Sequence, residues 1–149
     1  MDCMQAEQNI GTYPAFSTIE RLTAAAGVVA FTAGSAVVWY FDPTKAGFFP
    51  VCPLYSLTGL ACPGCGLTRG FHALFHGDIT TALHYNALIP LFALIFAFFL
   101  ILMTLVAVRG IAIPKWVYSP KPLFGFLILL IVFGVLRNLP FYPFTFLYP

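Results

Sequence analysis

Three apolar stretches divide the chain, and between the first two lies a segment whose polar and apolar residues alternate at helical spacing. Residues 22–41 form a charge-free run closed by Trp39, Tyr40, Phe41, Asp42 and Pro43. A bilayer core asks for about 20 apolar residues in a helix, so this run predicts a first transmembrane span, ended by an aromatic belt and a helix stop. Its Ala24, Gly27, Ala30, Ala33, Gly34 and Ser35 are small residues that let another helix approach closely, within the chain or beyond it. Residues 87–108 predict a second span, closed by Arg109 and Gly110. Pro90 falls in its first turns, where a missing donor costs least, or else kinks a longer helix that enters from the preceding segment. A third span is expected over 123–139, on condition that Arg137 snorkels or pairs. Residues 140–149 mix prolines with aromatics and are expected as a non-helical interfacial anchor.

The stretch 43–85 is too polar to span and too apolar for a free linker, which places it at the membrane interface. After the turn Cys62-Pro63-Gly64-Cys65-Gly66, a step of about 100° per residue puts Leu67, Phe71, Leu74 and Phe75 on one side. Thr68, Arg69, His72 and His76 fall on the other. This predicts a short amphipathic helix whose apolar face lies in the bilayer boundary or against the spans. Gly77 marks its end, and Asp78 is the expected N-cap of another short helix through residue 83. The predicted fold is therefore an all-α integral membrane protein of one domain, with three transmembrane helices and an interfacial amphipathic helical segment between the first and second.

Composition agrees with this picture. The chain has 149 residues, 60% hydrophobic and 8% charged, against roughly 25% charged in an ordinary soluble domain, so most of its surface is expected to face lipid. A formal net charge of +2, scattered along the chain, is too small to argue for nucleic acid, and nothing resembles a basic nucleic-acid patch. The tail, residues 1–21, is acidic and has no basic residue before Arg21, so the first apolar run is expected to stay as an anchor rather than act as a leader. Arg21, Arg109, Lys115 and Lys121 lie on the side of the tail and the 109–122 loop, whereas Lys45, Arg69 and Arg137 lie on the other. The positive-inside rule then leans towards a cytoplasmic amino terminus. The cysteine segment would face the outside, where disulfides persist.

The chemistry concentrates in that segment. Cys62 and Cys65 have the two-residue gap that places two thiolates on one zinc ion, and Cys52 with His72 or His76 would complete four ligands. No second Cys-x-x-Cys supplies the rest of a regular site. A thiol-exchange reading uses the same pair, activated by the start of the following helix and by Arg69, with Cys52 as a resolving thiol. It lacks the strand context that makes such motifs persuasive. The leading reading is structural: one disulfide of Cys52 with Cys62 or Cys65, or simply buried thiols, in a turn shaped by Pro63, Gly64 and Gly66. Arg69 is then expected to cap a neighbouring helix or to pair with Asp78 or Asp42. His72 and His76 could ligate a metal or haem iron, although such pairs are more often solvated at a headgroup surface. His84 reads as interfacial, and Cys3 as an incidental tail thiol. With five acidic residues, no paired carboxylates or serine triad can be assembled, so a hydrolase is poorly supported.

The run Cys52-Pro53, Thr58-Gly59, Cys62-Pro63-Gly64-Cys65-Gly66 and Thr68-Arg69, followed by Gly77, Ala82 and Asn86, resembles an uncharacterised bacterial membrane family, domain of unknown function 2752. The resemblance covers roughly residues 45–90, with weaker support from Arg137-Asn138 and Pro140, and departs from the family's pattern at Gly70 and Ala87. It implies a compact multi-span protein of a bacterial inner membrane and no particular reaction. The leading functional expectation is a non-enzymatic accessory or assembly subunit, with the lipid bilayer and membrane proteins as partners. The alternative is a metal-binding or thiol-redox protein built on Cys52, Cys62 and Cys65, with zinc as the candidate ion.

Overall fold

A computed structural model of the chain describes residues 17–110 and 119–142. Among the described residues six helices follow one another: α1 Thr18–Tyr40, α2 Pro53–Thr58, α3 Leu67–Phe75, α4 Ile79–Tyr85, α5 Ile89–Arg109 and α6 Pro120–Leu136. No strand occurs among the described residues. Cys3, Lys115 and most of the C-terminal interfacial segment expected over 140–149 lie outside them.

The first helix begins before the apolar run that predicts it. The Ser17 hydroxyl accepts the Glu20 backbone N–H, and the Glu20 carboxylate accepts the Ser17 N–H at 2.7 Å. This capping box satisfies two helix-end donors and starts α1 at Thr18. At about 1.5 Å per residue, its 23 residues extend over about 35 Å, enough for a hydrocarbon core of about 30 Å.

Helix α5 opens on Pro90 within its first turn, so the proline starts the helix and kinks nothing, and it closes on Gly110 in the left-handed region at φ 64°. It runs antiparallel to α1. Three contacts follow the pair from end to end: Arg21 donates to the carbonyls of Ala107 (3.2 Å) and Val108 (3.0 Å), Gly27 faces the Met103 sulfur, and Phe31 meets Phe96 edge-on at 5.6 Å. The arginine supplies donors and positive charge to carbonyls that a helix C-terminus leaves without partners. Gly27 shows that the small-residue face of α1 is used at least partly within the chain.

Both helices are long and apolar enough to cross a membrane. Their outward side chains stay exposed, Leu94 at 71% for example, a surface suited to lipid. Helix α6 is apolar but has only 17 residues, about 25 Å. The described residues thus contain two helices of spanning length and a third, shorter apolar one.

The segment between α1 and α5 holds α3 and α4 as expected, and also α2, which the hydrophobic pattern did not predict. Gly77, at φ 81°, follows the end of α3. Asp78 caps α4 by accepting the Thr81 N–H at 3.0 Å and the Thr80 hydroxyl at 2.8 Å. These bonds, Thr81's foremost, hold its carboxyl down at about 2.

The apolar side of α3 lies against the long helices, one of the two placements expected for it, with Phe71 stacked on Phe96 of α5 at 5.4 Å, but its most deeply buried positions are small residues. Gly70 and Ala73 are the buried residues, while Phe75 is 42% exposed. The reason is proximity: a Cβ on Gly70 would lie 2.6 Å from Ile89 Cδ1 and 3.2 Å from the Ala82 carbonyl. Only small side chains fit where α3 meets α4 and the start of α5. Leu67, Phe71 and Leu74 pack around the resulting core of Ala73, Ala82 and Ile89.

Candidate metal centre

The site begins at Cys52, the N-cap of α2, followed by Pro53 in the first helical position. Gly59, at φ 71°, ends this short helix and returns the chain towards Ala61. Between Cys62 and Gly66 the backbone folds into a tight turn, with the Cys65 N–H on the Cys62 carbonyl (3.0 Å) and the Leu67 N–H on the Gly64 carbonyl (3.1 Å). Gly66 is required twice over. Its φ is 81° and a Cβ there would run into the Tyr85 carbonyl.

Three side chains from distant positions hold this turn by its backbone. Asn138 accepts the Ala61 N–H at 2.9 Å and donates to the Ala61 carbonyl at 2.8 Å. Arg137 donates Nη1 to the carbonyls of Cys62 (2.8 Å) and Cys65 (3.2 Å). Asn86 donates Nδ2 to the carbonyls of Pro63 (2.8 Å) and Cys65 (3.2 Å), and its own Oδ1 accepts the Leu88 N–H. Asn86 and Arg137 are fully buried. Arg137 therefore pairs inward with backbone instead of snorkelling, the second of the two conditions its position imposed. Pro63 rests against Gly134 of α6, where an added Cβ would come within 3.1 Å of the proline ring.

Held this way, the turn brings its thiols to Cys52. The Cys52 Sγ lies 3.3 Å from Cys62 Sγ, which lies 3.3 Å from Cys65 Sγ. All three sulfurs sit within 4.8 Å of one another. They are free thiols in partly buried surroundings. A tetrahedral zinc with bonds of about 2.3 Å sets its sulfurs about 3.8 Å apart. A soft ion would therefore enter by widening the two 3.3 Å contacts of Cys62 by about half an ångström, leaving a fourth position open.

The electrostatics reverse one expectation. The thiol-exchange reading placed the activation on the Cys62–Cys65 pair before α3, yet burial foremost, then the neighbouring Cys62, pushes Cys65 up to about 12. Cys52 is instead held down at about 7, first by the Tyr55 backbone N–H and then by Cys62. The first turn of α2 offers free amides to the residue that caps it. The Cys-Pro pair is itself a helix-start signal, and could have revealed α2.

The remaining candidates lie apart from the sulfurs. His72 donates Nδ1–H to the Val38 carbonyl at 2.7 Å, and His76 donates to the His72 carbonyl while stacking on Trp39 at 6.1 Å. Both tie α3 to the end of α1, and neither joins the cysteine group. Arg69 lies 6.0 Å over the Tyr85 ring. The carboxylates expected for it are engaged elsewhere, Asp42 with Lys45 at 3.5 Å and Asp78 at the start of α4. Thr68 lines an apolar groove of about 640 Å³ between α1, α3 and α5, and Gly64 forms the exposed apex of the turn. Among the described residues, the three cysteines are the group able to hold a metal ion.

No curated protein and no solved structure matches the chain. Residues 52–100, which carry all three of these cysteines and Asn86, match the model of the family described as protein of unknown function (DUF2752), the family that the cysteine motif resembles.

Proposed function

We propose that this chain is a small integral membrane protein that holds a soft divalent metal ion of the zinc class on Cys52, Cys62 and Cys65, with α6 as its third crossing. The observation that carries this reading is the clustering of three sulfurs within 4.8 Å on a turn whose backbone is pinned by Asn86, Arg137 and Asn138. Thiolates in this number select soft ions over the hard cations that prefer oxygen. The ion would organise the interfacial segment and leave one coordination position for an external ligand.

The accessory-subunit reading rests on the small-residue face of α1. Gly27 of that face already packs against Met103 of the same chain, which leaves the sulfur geometry as the stronger support. Thiol exchange is favoured by the low-lying Cys52 thiol in contact with Cys62 at 3.3 Å.

Metal analysis of the protein purified from membranes, combined with counting of free thiols after denaturation without reductant, separates the readings. About one zinc per chain, with every clustered thiol free after chelation, is expected. Two missing thiols and no metal would replace the metal site with a disulfide. Free thiols that take up no zinc would remove both.

For orientation, Arg21 meets the end of α5 beside Arg109, so basic residues gather at the end opposite the cysteines. This supports a cytoplasmic amino terminus in a bacterial inner membrane, with the sulfur site on the outer face. Labelling of Cys52 by an impermeant maleimide in intact cells tests it. Labelling only after lysis would invert the topology.

A further inference from the structure

The three sulfurs form a row with Cys62 in the middle, 3.3 Å from Cys52 on one side and 3.3 Å from Cys65 on the other. A disulfide bond of about 2 Å would require either pair to close by about 1.3 Å. Distance does not choose between them, but what holds each outer cysteine does. The backbone of Cys65 is pinned: its carbonyl accepts from Asn86 and Arg137, its N–H donates to Cys62, and the following Gly66 lies against the Tyr85 carbonyl. Cys52 caps α2, none of whose residues is buried, and its neighbour Val51 is 74% exposed. The Tyr55 amide that meets the Cys52 sulfur belongs to that same helix and travels with it. Closure from the Cys52 side therefore disturbs the least packing, and it is the side that an external reagent reaches.

We propose that the metal centre opens by oxidation: an external disulfide takes two electrons from Cys52 and Cys62, links them to each other and releases the ion, with Cys65 left as a single thiol. This rests on the metal-binding reading above and adds the regulation of that site. The Cys52 sulfur attacks one sulfur of the reagent R–S–S–R and expels one thiolate. Cys62 then attacks the Cys52 sulfur and expels the second. One S–S bond is broken and one is formed. Three protons are taken up, one by Cys65 and two by the departing thiolates, and the divalent ion leaves. A single sulfur is too few for a soft ion that takes four ligands. Disulfides persist on the outer face proposed for the cluster. The new bond draws the start of α2 onto the turn, so redox state sets both the metal content and the position of that helix.

Full-length protein in detergent, reduced and loaded with zinc, is titrated with oxidised glutathione. Loss of one zinc per chain is expected to accompany loss of two of the three clustered thiols, with Cys52 linked to Cys62 in peptide mapping. Reduction should restore the zinc in full. Cys62→Ser should stop the reaction halfway, with glutathione left on Cys52. A link that includes Cys65, zinc retained after two thiols are lost, or three thiols that survive excess reagent overturns the proposal and leaves the metal site standing. Failure of the reduced protein to bind zinc, seen before any oxidant is added, sinks the metal reading itself. Where Cys62→Ser does not fold, the link mapped in the wild type decides.

Discussion

Arg137 Nη1 meets the carbonyl of Cys62 at 2.8 Å across 75 positions of sequence, tying the end of the last described helix to the turn between the first two long ones. The adjacent Asn138 binds both backbone groups of Ala61. Together with Asn86 they give the carbonyls of Ala61, Cys62, Pro63 and Cys65 partners within the protein, where water is scarce. The cysteine turn is therefore a tertiary structure rather than a local one.

Removing one of these partners should be felt directly. Asn138→Ala strands the N–H and carbonyl of buried Ala61, and an unsatisfied buried group costs about 1–3 kcal/mol. Denaturation in mild detergent should show a loss in that range. A change under about 0.5 kcal/mol, typical of a neutral surface site, would mean that the cradle is not formed.

Two glycines make a graded pair. Gly70→Ala would press on the far end of the Ile89 side chain, and such overpacking costs about 1–3 kcal/mol. Ile89→Val removes the Cδ1 atom in the way and should recover part of the loss, a coupling visible in a double-mutant cycle. Gly66→Ala meets a backbone carbonyl and a positive φ together, so it should destabilise more than Gly70→Ala and resist rescue. Equal effects from the two substitutions would contradict the packing.

Metal-free protein should display unequal thiols. With Cys52 held at about 7 and Cys65 pushed up to about 12, iodoacetamide at pH 7 should label Cys52 first and Cys65 hardly at all, as mass spectrometry can resolve. The Cys52 rate should rise through pH 7. Because its thiol lies below the ordinary value of 9.0, its thiolate form favours the folded state. That contribution is complete above about pH 9 and lost as the pH falls through about 7. Faster labelling of Cys65 would place the activated thiol at α3 after all.

The histidines should be dispensable for metal uptake. His72 is committed to the Val38 carbonyl and His76 to Trp39 and His72, so His72→Gln with His76→Gln should keep the metal stoichiometry while loosening α3 from α1. Loss of bound zinc in a protein that still folds would restore them as ligands.

Apolar runs and caps were legible along the chain because they act over a few residues. The charge-free runs mark α1 and α5, Asp78 announces α4, and the alternation after Gly66 marks α3. Boundaries moved where a capping box at Ser17 outranked hydropathy, and α2 escaped because six residues are too few to establish a period. The Cys-x-x-Cys turn, with Cys52 ten residues earlier, was equally visible as a source of sulfur ligands.

What local pattern cannot express is which surfaces come within contact. Periodicity put Phe71 on the face of α3 that meets the long helices, but it could not show that the close approach of Ile89 requires a glycine at position 70. Spacing alone allows His72 or His76 to join the sulfurs, yet the end of α1 engages both. Arg137 and Asn138 could be flagged beside a short apolar helix, but their bond to a turn more than seventy residues away exists only once α6 lies against Pro63. Hydrophobic periodicity and capping are short-range and therefore written into the chain. The grouping of three thiols over a buried guanidinium depends on the packing of separate helices, and only the folded molecule decides it.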